Sequence, residues 1–180
     1  MALLTAPLLA ERGDHITAVI RNPDHAAEVA ATGATPHVAD LEQLDARQMA
    51  ELIVGHDAAV RSMTAAAYAG VPRYVMVSYL GAKRDHGVPQ DDPFFAYAEA
   101  KAAADEHLRG TDLAWTVLAP GTLTHDPATG QIDTAGSDWT VVSRANVAAV
   151  IAETLANPAT THRTIPFVDG ETPIAEALGE

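Results

Sequence analysis

The chain has 180 residues, 48% of them apolar, with 24 acidic against 11 basic side chains and a net charge of −13. That length fits one domain, the apolar fraction is enough for a sizeable core and argues against disorder, and no apolar run is long enough to span a bilayer. The acidic surface argues against nucleic acid and anionic membranes as partners. The lack of cysteine excludes disulfides, thiol catalysis and thiolate metal sites. With no signal peptide in view, a soluble cytoplasmic protein is expected.

In chain order, Met1 to Gly13 opens on a helix-like stretch. His15 to Ile20 is a β-branched run that predicts a strand, closed by a turn at Arg21-Asn22-Pro23. Asp24 caps a helix through Ala31, stopped at Gly33. Thr35 to Val38 reads as a strand, Ala46 to Val54 as a helix with Asp45 as its N-cap, and Ala58 to Val60 as a strand. Ser62 to Ala69 reads as a helix, and Arg73 to Ser78 is the clearest strand. A polar loop from Gly81 to Pro93, a candidate substrate lid whose Asp85-His86 and Asp91-Asp92 read as solvated, leads into a long helix over Phe94–Arg109. Ala114 to Leu118 is a strand broken at Pro120-Gly121, and Gly130 to Val142 reads as irregular or as a small hairpin. Ser143 caps a helix through Ala156, and Thr164 to Val168 is the last strand before a short helical tail. This alternation predicts a single α/β domain, residues 1–180, with a parallel sheet covered on both faces.

Tyr97 and Lys101 lie inside the Phe94–Arg109 helix, and a spacing of four puts phenol and ammonium on one face. Such a pair suits proton transfer to a carbonyl or hydroxyl, because a nearby cation favours the ionised phenol. Ser78, at the end of the preceding strand, would hold the reacting oxygen. Taken alone, the pair reads equally well as a half-buried aromatic beside a solvated lysine. Tyr79 and Lys83 share the spacing but lack helical context. The eight histidines show no paired ligand spacing, which argues against a metal site. Trp115 and Trp139 read as packing residues, and His125-Asp126 as surface loop.

The order Val75-Met76-Val77-Ser78, Tyr97-x-x-x-Lys101 and Thr116-Val117-Leu118-Ala119-Pro120-Gly121 resembles the short-chain dehydrogenase/reductase superfamily. Within it, the chain is similar to the atypical NAD(P)H-binding, NmrA-like or sugar-epimerase-like branch. Val19 to Pro23, Ala39-Asp40-Leu41 and Val142 to Ala148 match as well, so the likeness runs along the whole chain. The resemblance implies a doubly wound, Rossmann-like parallel sheet. It also implies that Arg21 faces the adenosine 2′-phosphate, favouring NADP(H), with NAD(H) as the other option. Asp40 and Leu41 would border the adenine, Lys101 would reach the cofactor ribose, and Pro120, Gly121 and Thr122 would border the nicotinamide. Tyr97 would be the acid/base, Lys101 its helper and Ser78 their partner. On the residues alone, Arg21 reads equally as a surface residue after a strand, Asp40 as a turn residue and Pro120-Gly121 as a chain reversal.

Two departures stand out. No G-x-G-x-x-G or G-x-x-G-x-x-G occurs, and Val60 and Arg61 join a strand to a helix with nothing between them. In the family's strand order the first strand lies between the second and the fourth. Without it the sheet would split into a two-stranded and a four-stranded piece with unpaired edges. Residues are therefore expected to be missing at the start and at Val60–Arg61. The functional expectation is an NAD(P)(H)-dependent oxidoreductase or epimerase-like enzyme acting on a small carbonyl or hydroxyl substrate. The alternative is a non-catalytic NAD(P)H-binding redox-sensing regulator.

Overall fold

The structure is a computed structural model and describes residues 1–56, 58–59, 66, 69–135 and 140–179. The Val60–Arg61 junction, Trp139 and most of the expected Ser62–Ala69 helix lie outside the described residues.

Local sequence chemistry sets most element ends. Helix α1 (Ala2–Glu11) is followed by strand β1 (Thr17–Ile20), a 3-10 turn at Pro23–His25, helix α2 (Ala26–Ala30) and strand β2 (Thr35–Val38). The Asn22 side chain accepts from Asp24 N and starts the turn, so the helix begins at Ala26 rather than at Asp24. Helix α3 (Ala46–Ile53) starts in a full capping box, in which Asp45 and Gln48 each accept the other's backbone N–H. Strands β3 (Ala58–Ala59) and β4 (Arg73–Val77) precede the long helix α4 (Phe95–Arg109). Strands β5 (Ala114–Pro120), β6 (Thr122–Thr124), β7 (Gln131–Asp133) and β8 (Val141–Ser143) follow, then helix α5 (Arg144–Ala156), capped by Ser143 accepting from Asn146 N. Strands β9 (Arg163–Asp169) and β10 (Thr172–Pro173) and helix α6 (Ile174–Gly179) end the chain.

The main sheet has the order β10-β7-β9-β5-β4-β3. Its β3, β4, β5 and β9 are mutually parallel; beyond β9, β7 pairs antiparallel with β9 and β10 antiparallel with β7. Side chains alternate across it. Val75 and Leu118 point into a core shared with Val147, Val150 and Ile151 of α5 and with Leu178 of α6. Tyr74, Met76, Trp115 and Val117 point to the opposite core, with Leu108 of α4 and Ile53 of α3. Helices therefore cover both faces, which is the Rossmann-like arrangement the alternation predicts.

Strands β1 and β2 pair in parallel with each other and form a separate two-stranded sheet. The division into this pair and a set of four parallel strands agrees with the sequence expectation. Helix α1 bridges the two sheets: Ala6 packs with Val29, Ala34, Ile16, Ala18 and Ile20. On its other side Arg12 Nη1 donates to Ala152 O of α5 at 2.6 Å. Gly33 turns into β2 with φ +87°, and a Cβ there would lie 2.8 Å from the Ala10 Cβ of α1, so this turn needs glycine on two counts.

The segment from Gly130 to Val142 is not a hairpin. Its two strands join different sheets, β7 antiparallel to β9 and β8 parallel to β6. Among the described residues no helix is long and apolar enough to cross a membrane.

Candidate functional site

Strand β4 ends at Val77, paired with Leu118 of β5, and the chain beyond β4 carries the expected reacting residues. Ser78 N donates to Leu118 O at 2.7 Å and Leu80 N to Pro120 O at 2.8 Å, which extends the pairing past the strand ends. Helix α4 lies across this edge. Its Tyr97 is 46% exposed, and Lys101 Nζ sits 5.8 Å from the Tyr97 ring centroid, so phenol and ammonium share one helical face. Lys101 Nζ also donates to Val77 O at 2.8 Å, one residue before Ser78. Tyr97, Lys101 and Ser78 are thus gathered at one sheet edge.

Ser78 is 4% exposed, and its hydroxyl donates to Asp105 Oδ2 at 2.8 Å. Asp105 is one turn beyond Lys101 on the same helix, which makes a stripe of Tyr97, Lys101, Asp105 and Arg109 at intervals of four. It is 1% exposed, Arg109 Nη2 stands 3.9 Å from its Oδ2, and its Oδ1 has no hydrogen-bond partner among the described residues. Burial raises the Asp105 carboxyl above its ordinary value, against the hydrogen bond from Ser78 and the charges of Arg109 and Lys101. Sequence reading missed this residue. The available signal was its place in the Tyr97–Lys101 register, obscured by the neighbouring Glu106.

The aromatic surroundings are tight. The Tyr79 ring meets Phe94 edge-on at 5.3 Å and Tyr97 at 5.7 Å, while Phe94 and Tyr97 are 5.1 Å apart. The Tyr79 hydroxyl is buried with no hydrogen-bond partner among the described residues. Burial, reinforced by Tyr97 and Asp105, pushes its phenol up. It therefore stays protonated beside Tyr97. The Gly81–Pro93 loop is tied down rather than fully solvated. His86 has a side chain only 4% exposed, accepts from Val88 N at 3.0 Å through Nδ1 and bonds Glu99 at 2.8 Å through Nε2. Since the Val88 N–H must be the donor, Nε2 carries the ring proton.

The expected adenosine residues sit at the ends of the separate strand pair. Arg21, just after β1, is 67% exposed and lies 3.8 Å from Asp40 and 3.4 Å from Glu42. Asp40 is two-thirds buried and Leu41 half-buried beside it. At the other end, Pro120 and Gly121 are buried and Thr122 is exposed. A Cβ on Gly121 would stand 2.3 Å from Thr140 O and 2.9 Å from Val168 Cγ1, so packing alone accounts for glycine there. As a donor set, an exposed guanidinium after β1 and an ammonium after β4 suit an anionic nucleotide lying along the carboxyl ends of these strands. The residues present fit the two ends of a dinucleotide on that chemistry.

The family model described as NAD(P)H-binding matches residues 2–158. The chain is 36% identical over 129 residues to the uncharacterized sugar epimerase YhfK of Bacillus subtilis (strain 168), covering 71% of this chain and 59% of that protein. It thus spans about three-fifths of the length of the curated relatives it matches. Among solved structures, a putative NAD-dependent epimerase/dehydratase from Bacillus halodurans superposes with a TM-score of 0.85 at 25% identity, covering 99% of this chain and 92% of that one. A short-chain dehydrogenase/reductase from Veillonella parvula, solved in complex with NADP, superposes with a TM-score of 0.75 at 18% identity over 95% of this chain and 90% of that one. With the model match spanning most of its length, the chain belongs to the NAD(P)H-binding family.

Proposed function

We propose that this chain is the nucleotide-binding and reacting part of an NADP(H)-dependent oxidoreductase or epimerase-like enzyme for a small carbonyl or hydroxyl substrate. The observation that carries the reading is that Tyr97 and Lys101 share one face of α4, with Lys101 reaching Val77 O and Asp105 of the same helix reaching Ser78, just past the end of β4. Arg21 would hold the adenosine phosphate, and Lys101 and Thr122 would flank the reacting end. When bound, the cofactor supplies or accepts a hydride at the substrate carbon. Tyr97, in reduction, gives its phenolic proton to the carbonyl oxygen as the C–O double bond becomes a single bond; in oxidation it takes that proton back. Lys101, within reach of the phenol ring, eases this by favouring the ionised phenol. Ser78 spends its own proton on Asp105 and so offers lone pairs to the site, accepting from the Tyr97 hydroxyl or from a substrate alcohol.

The same bond favours a second reading. A serine whose hydroxyl donates to a buried carboxylate is not available as a donor to a carbonyl oxygen, which suits a non-catalytic NAD(P)H-binding regulator. Titration with NADPH and NADH followed by nicotinamide fluorescence tests both readings. Turnover assays of wild type and Tyr97→Phe then separate them. Enzyme action predicts that Tyr97→Phe keeps cofactor affinity within about twofold and loses turnover by about 10²–10⁴-fold. Turnover unchanged by the substitution refutes the acid/base role. Cofactor binding with no turnover across a panel of small ketones and sugars in the wild type supports the regulator.

A further inference from the structure

We infer that Glu42 competes with the cofactor's 2′-phosphate for Arg21 and thereby sets how strongly this chain prefers NADPH to NADH. The inference rests on the cofactor reading above and goes beyond it, because it assigns specificity to a residue outside the family's motif.

The geometry is built rather than incidental. Glu42 N donates to Asp40 Oδ1 at 3.1 Å and Gln43 N to Asp40 O at 3.0 Å, so the turn after β2 is closed by Asp40 itself. That turn delivers the Glu42 carboxylate to Arg21 Nη2 at 3.4 Å, while Asp40 Oδ1 stands 3.8 Å from Arg21 Nε. Parallel pairing of β1 with β2, with Ile20 opposite Val38, makes the two strand ends neighbours and keeps the three charges together.

One guanidinium therefore answers two carboxylates, and the group carries a net charge of −1. A phosphate monoester at neutral pH brings a further charge of about −1.5 to −2. To bind it bidentately, the guanidinium must turn its fork away from Glu42. The ribose diol of NADH asks for no such exchange, since its hydroxyls donate and carboxylates accept. Glu42 thus opposes NADPH without opposing NADH. Arg21 and Glu42 are 67% and 72% exposed, so solvent screening holds the effect to a few-fold in affinity.

The test is a fluorescence titration of wild type, Glu42→Gln, Arg21→Ala and the double variant, each with NADPH and NADH at low ionic strength. Glu42→Gln should tighten NADPH by about two- to fivefold and move NADH by less than about 1.5-fold. In the Arg21→Ala background the gain should vanish, because no guanidinium is left to release. NADH binding also reports that each variant is folded. An unchanged NADPH affinity, an equal shift for both cofactors, or a gain that persists without Arg21 overturns the inference while leaving the cofactor reading intact. Failure of the wild type to bind either dinucleotide overturns both.

Discussion

Asp105 holds its place against a cost: a carboxyl that is 1% exposed, with one oxygen lacking a hydrogen-bond partner among the described residues, loses solvation when it ionises. Burial raises its titration above the ordinary value of 3.8, so the folded protein keeps this proton to higher pH than the unfolded chain does. Its contribution to stability is therefore fully present below the unfolded value and is lost as pH rises through the folded one. Asn at this position can still accept from Ser78 and carries no such loss. Thermal melts of Asp105→Asn and wild type from acid to neutral pH should show the variant gaining on the wild type as pH rises. A melting difference that is constant across that range would remove the account. The shared face of Tyr97 and Lys101 was legible because spacing on a helix converts directly into position. The surroundings of Asp105 and Glu42 were not, since they come from burial and from a turn that folds back, neither of which a linear pattern displays. His86 was misread for the same reason: an aspartate–histidine pair in a polar loop looks solvated until Glu99 and Val88 claim both ring nitrogens.

Two polar clamps join elements that are remote in sequence. Asn146, fully buried at the start of α5, accepts from Thr129 N at 3.1 Å and Gly130 N at 3.0 Å. It also donates to Thr129 Oγ1, Gln131 O and Asp169 Oδ1, while Asp169 accepts from Ser143 N. One amide thereby fixes β7, the end of β9 and the helix cap. Asn146→Ala should cost about 2–4 kcal/mol in chemical denaturation, because it strands the Thr129 and Gly130 N–H groups and takes one hydrogen bond from the Asp169 carboxylate; a loss below about 0.5 kcal/mol would show that water replaces the amide. Arg73 does similar work at the opposite end of the sheet. It reaches Ala114 O, Thr116 Oγ1, Thr154 O and Thr160 Oγ1 at 2.7 to 3.1 Å, and burial pulls its guanidinium below the ordinary arginine value. Arg73→Lys keeps the charge but not the fork, and the same measurement should register a loss of about 1–3 kcal/mol. These clamps explain what sequence could and could not tell. Helix starts at Asp45 and Ser143 were readable because a cap is chemistry between residues three apart. The short strands β6, β7, β8 and β10 were not readable, since two or three residues carry no period and their partners lie elsewhere along the chain.

Across the whole molecule, the separation of the β1–β2 pair from the six-stranded sheet sets an uneven distribution of stability. The six-stranded sheet is flanked by two cores holding most of the large buried side chains. The β1–β2 pair rests on a small cluster around Ala6, Val29 and Ala34. It is tied to the rest through α1 and a 3.0 Å bond between His56 Nε2 and Thr17 Oγ1. Two strands with so little apolar cover are marginal by themselves, so their amides should exchange through low-energy local openings, while those of β4, β5 and β9 exchange only through global unfolding. Hydrogen exchange read by mass spectrometry should find β1 and β2 deuterated first. The proposed adenosine contacts Arg21, Asp40 and Leu41 all sit on this weaker piece, which ties its stability to its ligand. At about 100 times its dissociation constant, a ligand that binds only the closed form adds about 2.7 kcal/mol to opening. Saturating NADPH should therefore slow exchange in β1 and β2 about a hundredfold and leave the central strands nearly unchanged. Protection appearing in β4 and β5 instead would place the nucleotide elsewhere and take the adenosine assignment with it.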